Sequence, residues 1–415
     1  MPVKRIPVGS LKVGMYVAGL DRSWLTTSFL SHAFLIKSAA QIEKLRQSGV
    51  QAVDIDPERG LDEGAEEDAY EAVVATELAP LRAATSNVLP GDVSPQALGA
   101  ELAQARQTRE ELLQHVETVF QNIGTSEIIH SQEVKHVVTE MMPKIMDSQA
   151  AFMALIRTRE FDQALRDHVL SVSTLALVMG HTLGYDEKRL RTLATGALLH
   201  DVGMLRLPNY MLRLSKTLSK AERELYETHP RLGVTLLQKN GGFHTDVLRV
   251  VAEHHASQDQ SGYPRDVVGA QTGEMSQIIL IADRYDEMIT GQLGVTPMPA
   301  REVLSALYRD AQAGTYNLSL VSHLIRVVGV YPLYSLVALN TGDRGIVINI
   351  TPGKLHLPVV LLIQDSAGNP YVPPIPLDLA AQSGPGEARS IATVLDAEQE
   401  GIKIEDYLKG RGASA

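Results

Sequence analysis

At 415 residues the chain is long enough for two or three folded units, and 44% hydrophobic with 21% charged residues excludes a fibrous or globally disordered chain. A net charge of −11 with only 5% aromatics argues against a clamp on long nucleic-acid backbone or a base-stacking platform, so no nucleic-acid polymer is expected as partner. Cysteine is absent, which removes disulfides, thiolate metal sites and cysteine nucleophiles, and leaves His, Asp and Glu as the possible metal ligands.

Residues 1–57 alternate β-like runs at 15–20, 34–37 and 50–55 with a helix-like stretch at 38–47, a small α/β domain. The N-terminus carries no apolar leader and no apolar run approaches the roughly 20 residues of a membrane span, so a cytoplasmic chain without a span is expected. Residues 58–97 read as a linker region with a short helix, since 56–66 is acidic with two glycines and 85–95 carries Asn, Gly, Ser and two prolines. Leu112, Val116, Val119 and Phe120 return at three- and four-residue spacing, which makes 98–150 a helical connector, a hairpin broken near Gly124. It serves either as a homodimerisation layer or as a cap on its own core. Helical signals continue through 151–328, with loops at 205–216, 256–273 and 291–299. From 329 to 380, Val, Ile and Leu runs alternate with Asn340-Thr341-Gly342-Asp343 and Thr351-Pro352-Gly353, a small β subdomain ending near Leu379. Residues 381–415 form a tail, with 382–387 and the residues past Gly410 expected to be mobile. The fold class is mainly α: a helical core flanked by a small N-terminal α/β domain and a small C-terminal β subdomain.

Of 13 histidines, five fall in one helical region with two aspartates: His168, His200, Asp201, His229, His254, His255 and Asp283. Leu190, Leu193, Ala194, Ala197 and Leu198 form an apolar stripe that His200 and Asp201 continue. His168 lies between Leu165 and Val172, His254 and His255 follow Val247, Val250 and Val251, and Asp283 follows Ile279 by one turn. Burying so many titratable groups is costly unless a cation satisfies them, so the cluster reads as a metal site. A lone His of this kind is ordinarily a hydrogen-bonded core residue. His32, His115, His130, His136, His181, His244, His323 and His356 lack such company and read as structural or surface residues.

The ordered motifs His200-Asp201-Val202-Gly203 with Leu207-Pro208, Thr228-His229-Pro230, Glu253-His254-His255, Gly262-Tyr263-Pro264 after Asp259, and Ala282-Asp283-Arg284-Tyr285-Asp286 resemble the HD-GYP branch of the HD phosphohydrolase superfamily, over about residues 160–365. Residues 1–57 are similar to a small domain of unassigned function that often precedes this family. The resemblance implies an HD-type helical bundle with two divalent ions, Fe, Mn, Zn or Ni. His168, His200, Asp201 and Asp283 would hold one ion and His229, His254 and His255 the other, with Asp201 as the bridge and with Asp201 and His200 in the catalytic role. Two ions against two carboxylates would leave the pocket at about +2. It also implies hydrolysis of cyclic di-GMP to the linear dinucleotide or GMP by water activated between the metals, with Gly262, Tyr263, Pro264 and Arg284 at the substrate.

The sequence departs from the family at several positions. Met204 stands for the usual Lys four residues after the His of the His-Asp pair, Ala256 for a Glu, Gln260 for a Gly, and Gln292 and Gly294 for a phosphate-gripping Arg and Tyr. Ala164 stands where three-metal members carry Glu, so two ions are expected. Arg206, Arg213, Lys216, Arg265 and Arg284 are candidates to replace the lost charge, while Met204 has the alternative of packing beside Leu205 and Leu207. A thinned grip on an intact cage leaves two readings open. One is a phosphodiesterase of low activity; the other is a relative that keeps its metals and acts by binding cyclic di-GMP or a signalling protein.

Overall fold

The computed structural model describes the chain except residues 1–2, 12–14, 22–32, 37–38, 57–58, 60–93, 127, 158–163, 213–217, 267–271, 292–295, 330, 351–355, 383–387, 398–399 and 409–415. It divides into two compact units, Met1–Pro80 and Leu81–Ala415.

In the first unit β1 (Lys4–Pro7), β2 (Tyr16–Leu20), β3 (Phe34–Leu35) and β4 (Ala52–Ile55) form an antiparallel sheet in the order β1-β4-β2-β3, with α1 (Ala39–Gln47) between β3 and β4 in sequence. Ile6, Met15, Val17, Ile36, Leu45, Val53 and Ile55 make its core. The sequence Lys-Arg-Ile-Pro of β1 buries only Ile6, which is too little alternation to announce a strand. The short helix expected within 58–97 lies outside the described residues.

The second unit begins with α2 (Pro95–Ser126), α3 (Ser131–Asp147) and α4 (Gln149–Ala154). Helix α2 ends at Ser126 and α3 starts at Ser131, so the helical hairpin breaks close to Gly124, as the sequence suggests. Burial of Leu112, Val116, Val119, Phe120 and Ile123 gives α2 its apolar stripe up to that end. The central helix α5 (Ala164–Thr182) packs between α6 (Glu187–Leu199) and α10 (Glu274–Thr290), and is apolar almost all round from Val169 to Met179. Helices α7 (Lys220–Tyr226), α8 (His229–Asn240) and α9 (Thr245–Glu253) complete the cluster, α9 packing on α6, α8 and α10. Local signals set several starts: Asp186 caps α6 through Arg189 N, and Ser219 with Glu222 forms a capping box on α7. α11 (Ala300–Gln312) and α12 (Leu318–Val328) close the helical part. Among the described residues no helix is long and apolar enough to cross a membrane.

Five antiparallel strands follow, β5 (Leu336–Leu339), β6 (Arg344–Asn349), β7 (Val359–Gln364), β8 (Pro370–Asp378) and β9 (Ile391–Leu395), in the order β8-β7-β6-β5-β9. The sheet therefore does not end near Leu379. β9, from the expected tail, pairs with β5, and α13 (Ile404–Leu408) packs on α2 with Arg106 Nη2 2.6 Å from Glu405 Oε1. β9 is only half-buried and shows no strict alternation, so its strand state follows from its partner more than from its own pattern.

Candidate metal centre

The seven residues singled out in the sequence meet at one place. His168 lies on α5, His200 caps the C-terminus of α6 with Asp201 next in the chain, His229 opens α8, His254 caps the C-terminus of α9 with His255 after it, and Asp283 lies within α10. Six are nearly sealed, with relative exposures from 0 to 4%, and the His255 side chain is 10% exposed.

Helix ends orient the imidazoles. The last carbonyls of a helix lack intrahelical partners, and three histidines use them: Nδ1 of His200 donates to Ala197 O at 2.7 Å, Nδ1 of His254 to Val251 O at 3.0 Å, and Nδ1 of His229 to Tyr226 O, at the end of α7, at 2.8 Å. A carbonyl only accepts, so each Nδ1 carries the proton and each Nε2 is left to face the centre. His168 achieves the same orientation through Asp286, whose Oδ2 lies 2.6 Å from its Nδ1.

Asp201 lies between two groups. Its Oδ2 is 3.6 Å from His168 Nε2 and 3.7 Å from His200 Nε2, while Oδ1 is 3.1 Å from His229 Nε2 and 3.6 Å from His254 Nε2. Asp283 places Oδ1 3.0 Å from His168 Nε2 and Oδ2 3.5 Å from His255 Nδ1. The Nε2 atoms of His229 and His254 stand 3.0 Å apart, and those of His168 and His200 3.3 Å apart. Donors at about 2.1 Å from one ion lie roughly 3.0–3.4 Å from each other; the His229–His254, His168–His200, His229–Asp201 and His168–Asp283 pairs have that spacing, and the other pairs are slightly wider at 3.5–3.7 Å.

Burial pushes His200 down to about 4 and His255 well below its usual range. Burial alone would raise Asp201, but His200 and His229 outweigh it and hold the carboxyl well below its ordinary value. A neutral imidazole at His200 and His255 and an ionised Asp201 are the protonation states that metal ligation requires. Burial would lower His168, but Asp283 and Asp286 outweigh it and hold it well above its usual range, favouring its protonated form while no cation is bound. Asp201 Oδ1 and His255 Nε2 are buried with no hydrogen bond, a cost that a cation would remove. The donor set fits divalent ions in two groups, Asp201 with His229, His254 and His255, and His168 with His200 and Asp283.

Two glycines press the loops onto the ligands. A Cβ on Gly203 would lie 1.9 Å from His229 O, and one on Gly262 would lie 2.1 Å from His255 O. Tyr263 N donates to the same His255 carbonyl at 3.1 Å, and its ring stacks on His255 with centroids 4.5 Å apart. Asp259 anchors this loop by accepting from Ser261 N at 3.0 Å, Ser261 Oγ at 2.7 Å and Thr315 Oγ1 at 2.9 Å; burial would raise its pKa, but these bonds bring it to about 2. Gln260, in place of glycine, holds φ at 65°, where a side chain is strained by about 1–2 kcal/mol.

Sequence reasoning missed four groups. Asp286 shares a face with Asp283 three residues earlier, a signal that was legible. Glu287 is buried, pushed up to about 7 by burial and by Asp283, and its Oε2 receives Arg284 Nη1 at 2.8 Å, so the expected substrate-facing Arg284 is ion-paired. Tyr226 stands edge-on to His229 with centroids 4.9 Å apart. Glu253, adjacent to His254, is buried and accepts from Arg249 Nε at 2.7 Å and Gly273 N at 2.8 Å, while Ala256 is buried without polar function. Arg206 and Arg265 are exposed, and Arg213, Lys216, Gln292 and Gly294 lie outside the described residues. Of the other histidines, His323 is buried and joins Thr182 Oγ1 at 2.7 Å, with burial bringing it to about 4.

Met204 is 4% exposed and packs with Leu207, Met211, Leu218 and Tyr226, with Tyr263 against the same cluster. A lysine there would place its ammonium among apolar side chains. Met204→Lys is expected to lower the stability by about 2–5 kcal/mol without raising turnover. An unchanged urea midpoint combined with faster turnover would return the position to the phosphate grip.

Residues 140–320 match the HD domain family, and residues 3–149 match a domain of unknown function, DUF3391. A cyclic di-GMP phosphodiesterase of Pseudomonas aeruginosa is 27% identical over 381 residues, covering 91% of this chain and 89% of that protein. A cyclic di-GMP phosphodiesterase response regulator of Xanthomonas campestris is 30% identical over 122 residues, 29% of this chain and 32% of that one. A 3'3'-cGAMP-specific phosphodiesterase of Vibrio cholerae is 32% identical over 115 residues, 28% of this chain and 25% of that one. The fold and the cage together define an HD-domain protein with a His/Asp centre able to hold metals. Residues 140–320 thus form an HD domain, and its His-Asp pair, paired histidines and Gly-Tyr-Pro loop resemble those of the HD-GYP family.

Proposed function

We propose that the protein is a metal-dependent phosphodiesterase that hydrolyses cyclic di-GMP through a binuclear centre. The observation that carries this reading is the Asp201 carboxylate, with one oxygen towards His168 and His200 and the other towards His229 and His254. The relatives from Pseudomonas and Xanthomonas, named for cyclic di-GMP, support the substrate. Two divalent ions, when bound, would lower the pKa of a water towards about 7 and offset phosphoryl charge.

The protein's own groups orient and enclose the substrate. Tyr263, stacked on His255, offers a ring beside the cage, and burial keeps the Tyr226 and Tyr263 hydroxyls well above their usual pKa, so both stay protonated; the two hydroxyls are hydrogen-bonded to each other, which leaves one of them to donate to an anionic oxygen. Asp286 adds a third carboxylate at the cage and Glu287 neutralises Arg284, which lowers the pocket charge to about +1 when two ions are present. That reduced charge supports slow turnover with binding retained. The same observations favour a second reading, a relative that binds cyclic di-GMP, or a partner protein, with little hydrolysis.

Elemental analysis of gently purified protein is expected to give close to two divalent ions per chain, and incubation with cyclic di-GMP in defined Mn or Fe to give slow, chelator-sensitive release of linear dinucleotide or GMP. A reproducible content of zero or of three ions would overturn the ligand assignment. Tight binding with no product would select the second reading, and preferential cleavage of 3'3'-cGAMP would move the substrate to that of the Vibrio relative.

A further inference from the structure

Arg109 lies on α2, within the DUF3391 match and outside the HD match at 140–320. Its side chain is 6% exposed, and its Nη2 donates to Asp167 Oδ1 at 2.7 Å, with the Asp167 side chain 2% exposed. Asp167 immediately precedes His168. Both lie near the start of α5, which begins at Ala164. The first turn of a helix has free N–H groups and frays readily, yet His168 must hold Nε2 3.0 Å from Asp283 and 3.6 Å from Asp201. Helix α2 also packs against the turn Val202–Arg206 that follows His200 and Asp201. One helix therefore touches two of the three chain segments that feed the His168–His200–Asp283 group, the third being α10 with Asp283.

We infer that Arg109 is a positioning residue for that group: through its buried ion pair with Asp167 it pins the first turn of α5 and so places His168 for metal. The inference rests on the metal-dependent reading above. A buried ion pair is weak evidence for stability, because apolar residues of similar size often replace one at no cost. A ligand, by contrast, must be held to about 0.5 Å. Arginine suits the task because its planar fork gives direction as well as charge, which a lysine ammonium does not. The segment carrying the unassigned domain thus supplies part of the support of the HD centre.

The test uses the full chain in three forms: wild type, Arg109→Lys, and the double variant Arg109→Met with Asp167→Leu. Melting temperature is measured on metal-free protein, and metal affinity by competition with a chelator of known strength. The double variant is expected to melt within a few degrees of wild type while binding one of its two ions about tenfold more weakly, the lower end of what lost support around a ligand costs. Arg109→Lys is expected to keep the fold and recover part of that affinity. Wild-type affinity in the double variant, or in Arg109→Lys should the double variant not fold, overturns the positioning role. A wild type that binds no metal at all overturns the metal-dependent reading instead.

Discussion

Asp201→Ala is expected to reduce the metal content from two ions to at most one and to lower hydrolysis of cyclic di-GMP by about 10³-fold or more, since even one lost transition-state contact commonly costs about 10²- to 10³-fold. The carboxylate lies within 3.1–3.7 Å of four imidazole nitrogens, two in each group of donors. Asp283 is not a substitute, because its oxygens face His168 and His255 and leave His229 and His254 without an anionic neighbour. A metal that binds only the folded state stabilises that state by about 2.7 kcal/mol at a hundredfold excess over its dissociation constant. The variant should therefore melt lower than wild type in the presence of metal, and the gap should close when both are stripped with chelator. A variant that keeps two ions and its melting temperature would show that Asp201 does not join the two groups.

Gly203→Ala is expected to be among the most damaging single-methyl additions in the chain. The new Cβ would fall 1.9 Å from His229 O and 2.6 Å from Gly233 N, both backbone atoms at the start of α8. No rotamer change relieves a clash with backbone, so α8 must move away from the Val202–Arg206 turn and carry His229 with it. The loss should exceed about 4 kcal/mol, beyond the usual range for a point substitution. The displaced ion is the one expected at His229, His254 and His255. Denaturation midpoint and metal content measured together decide the matter, and a well-folded alanine variant with two ions would mean that the close approach of these loops is not maintained in solution.

Six of the seven residues that meet here were legible in the sequence because each follows or continues an apolar face of a helix, and the helical period is a local property; His229, which opens its helix, was marked by the Thr228-His229-Pro230 motif. His200 and His254 even carry their orientation locally, since each imidazole bonds the carbonyl three residues back at its own helix end. The strand β9 was not legible, because it is only half-buried and its strand state is set by its partner β5. Met204 shows the same division. Its identity announced a missing cation, but whether that position faces a phosphate or an apolar cluster depends on Leu207, Met211, Leu218 and Tyr226 converging on it.

Residue identity and periods of a few residues were enough for the types of the candidate metal-binding side chains, their helical placement and the absence of any thiol chemistry. Tertiary structure alone decided which oxygen of Asp201 meets which histidines, that Glu287 ties up Arg284, and that Arg109 reaches Asp167 across 58 positions. Such pairings join residues on different helices, or depend on which of several side-chain directions packing selects. No local pattern encodes either, since the energy that fixes them is released only when the helices close on one another.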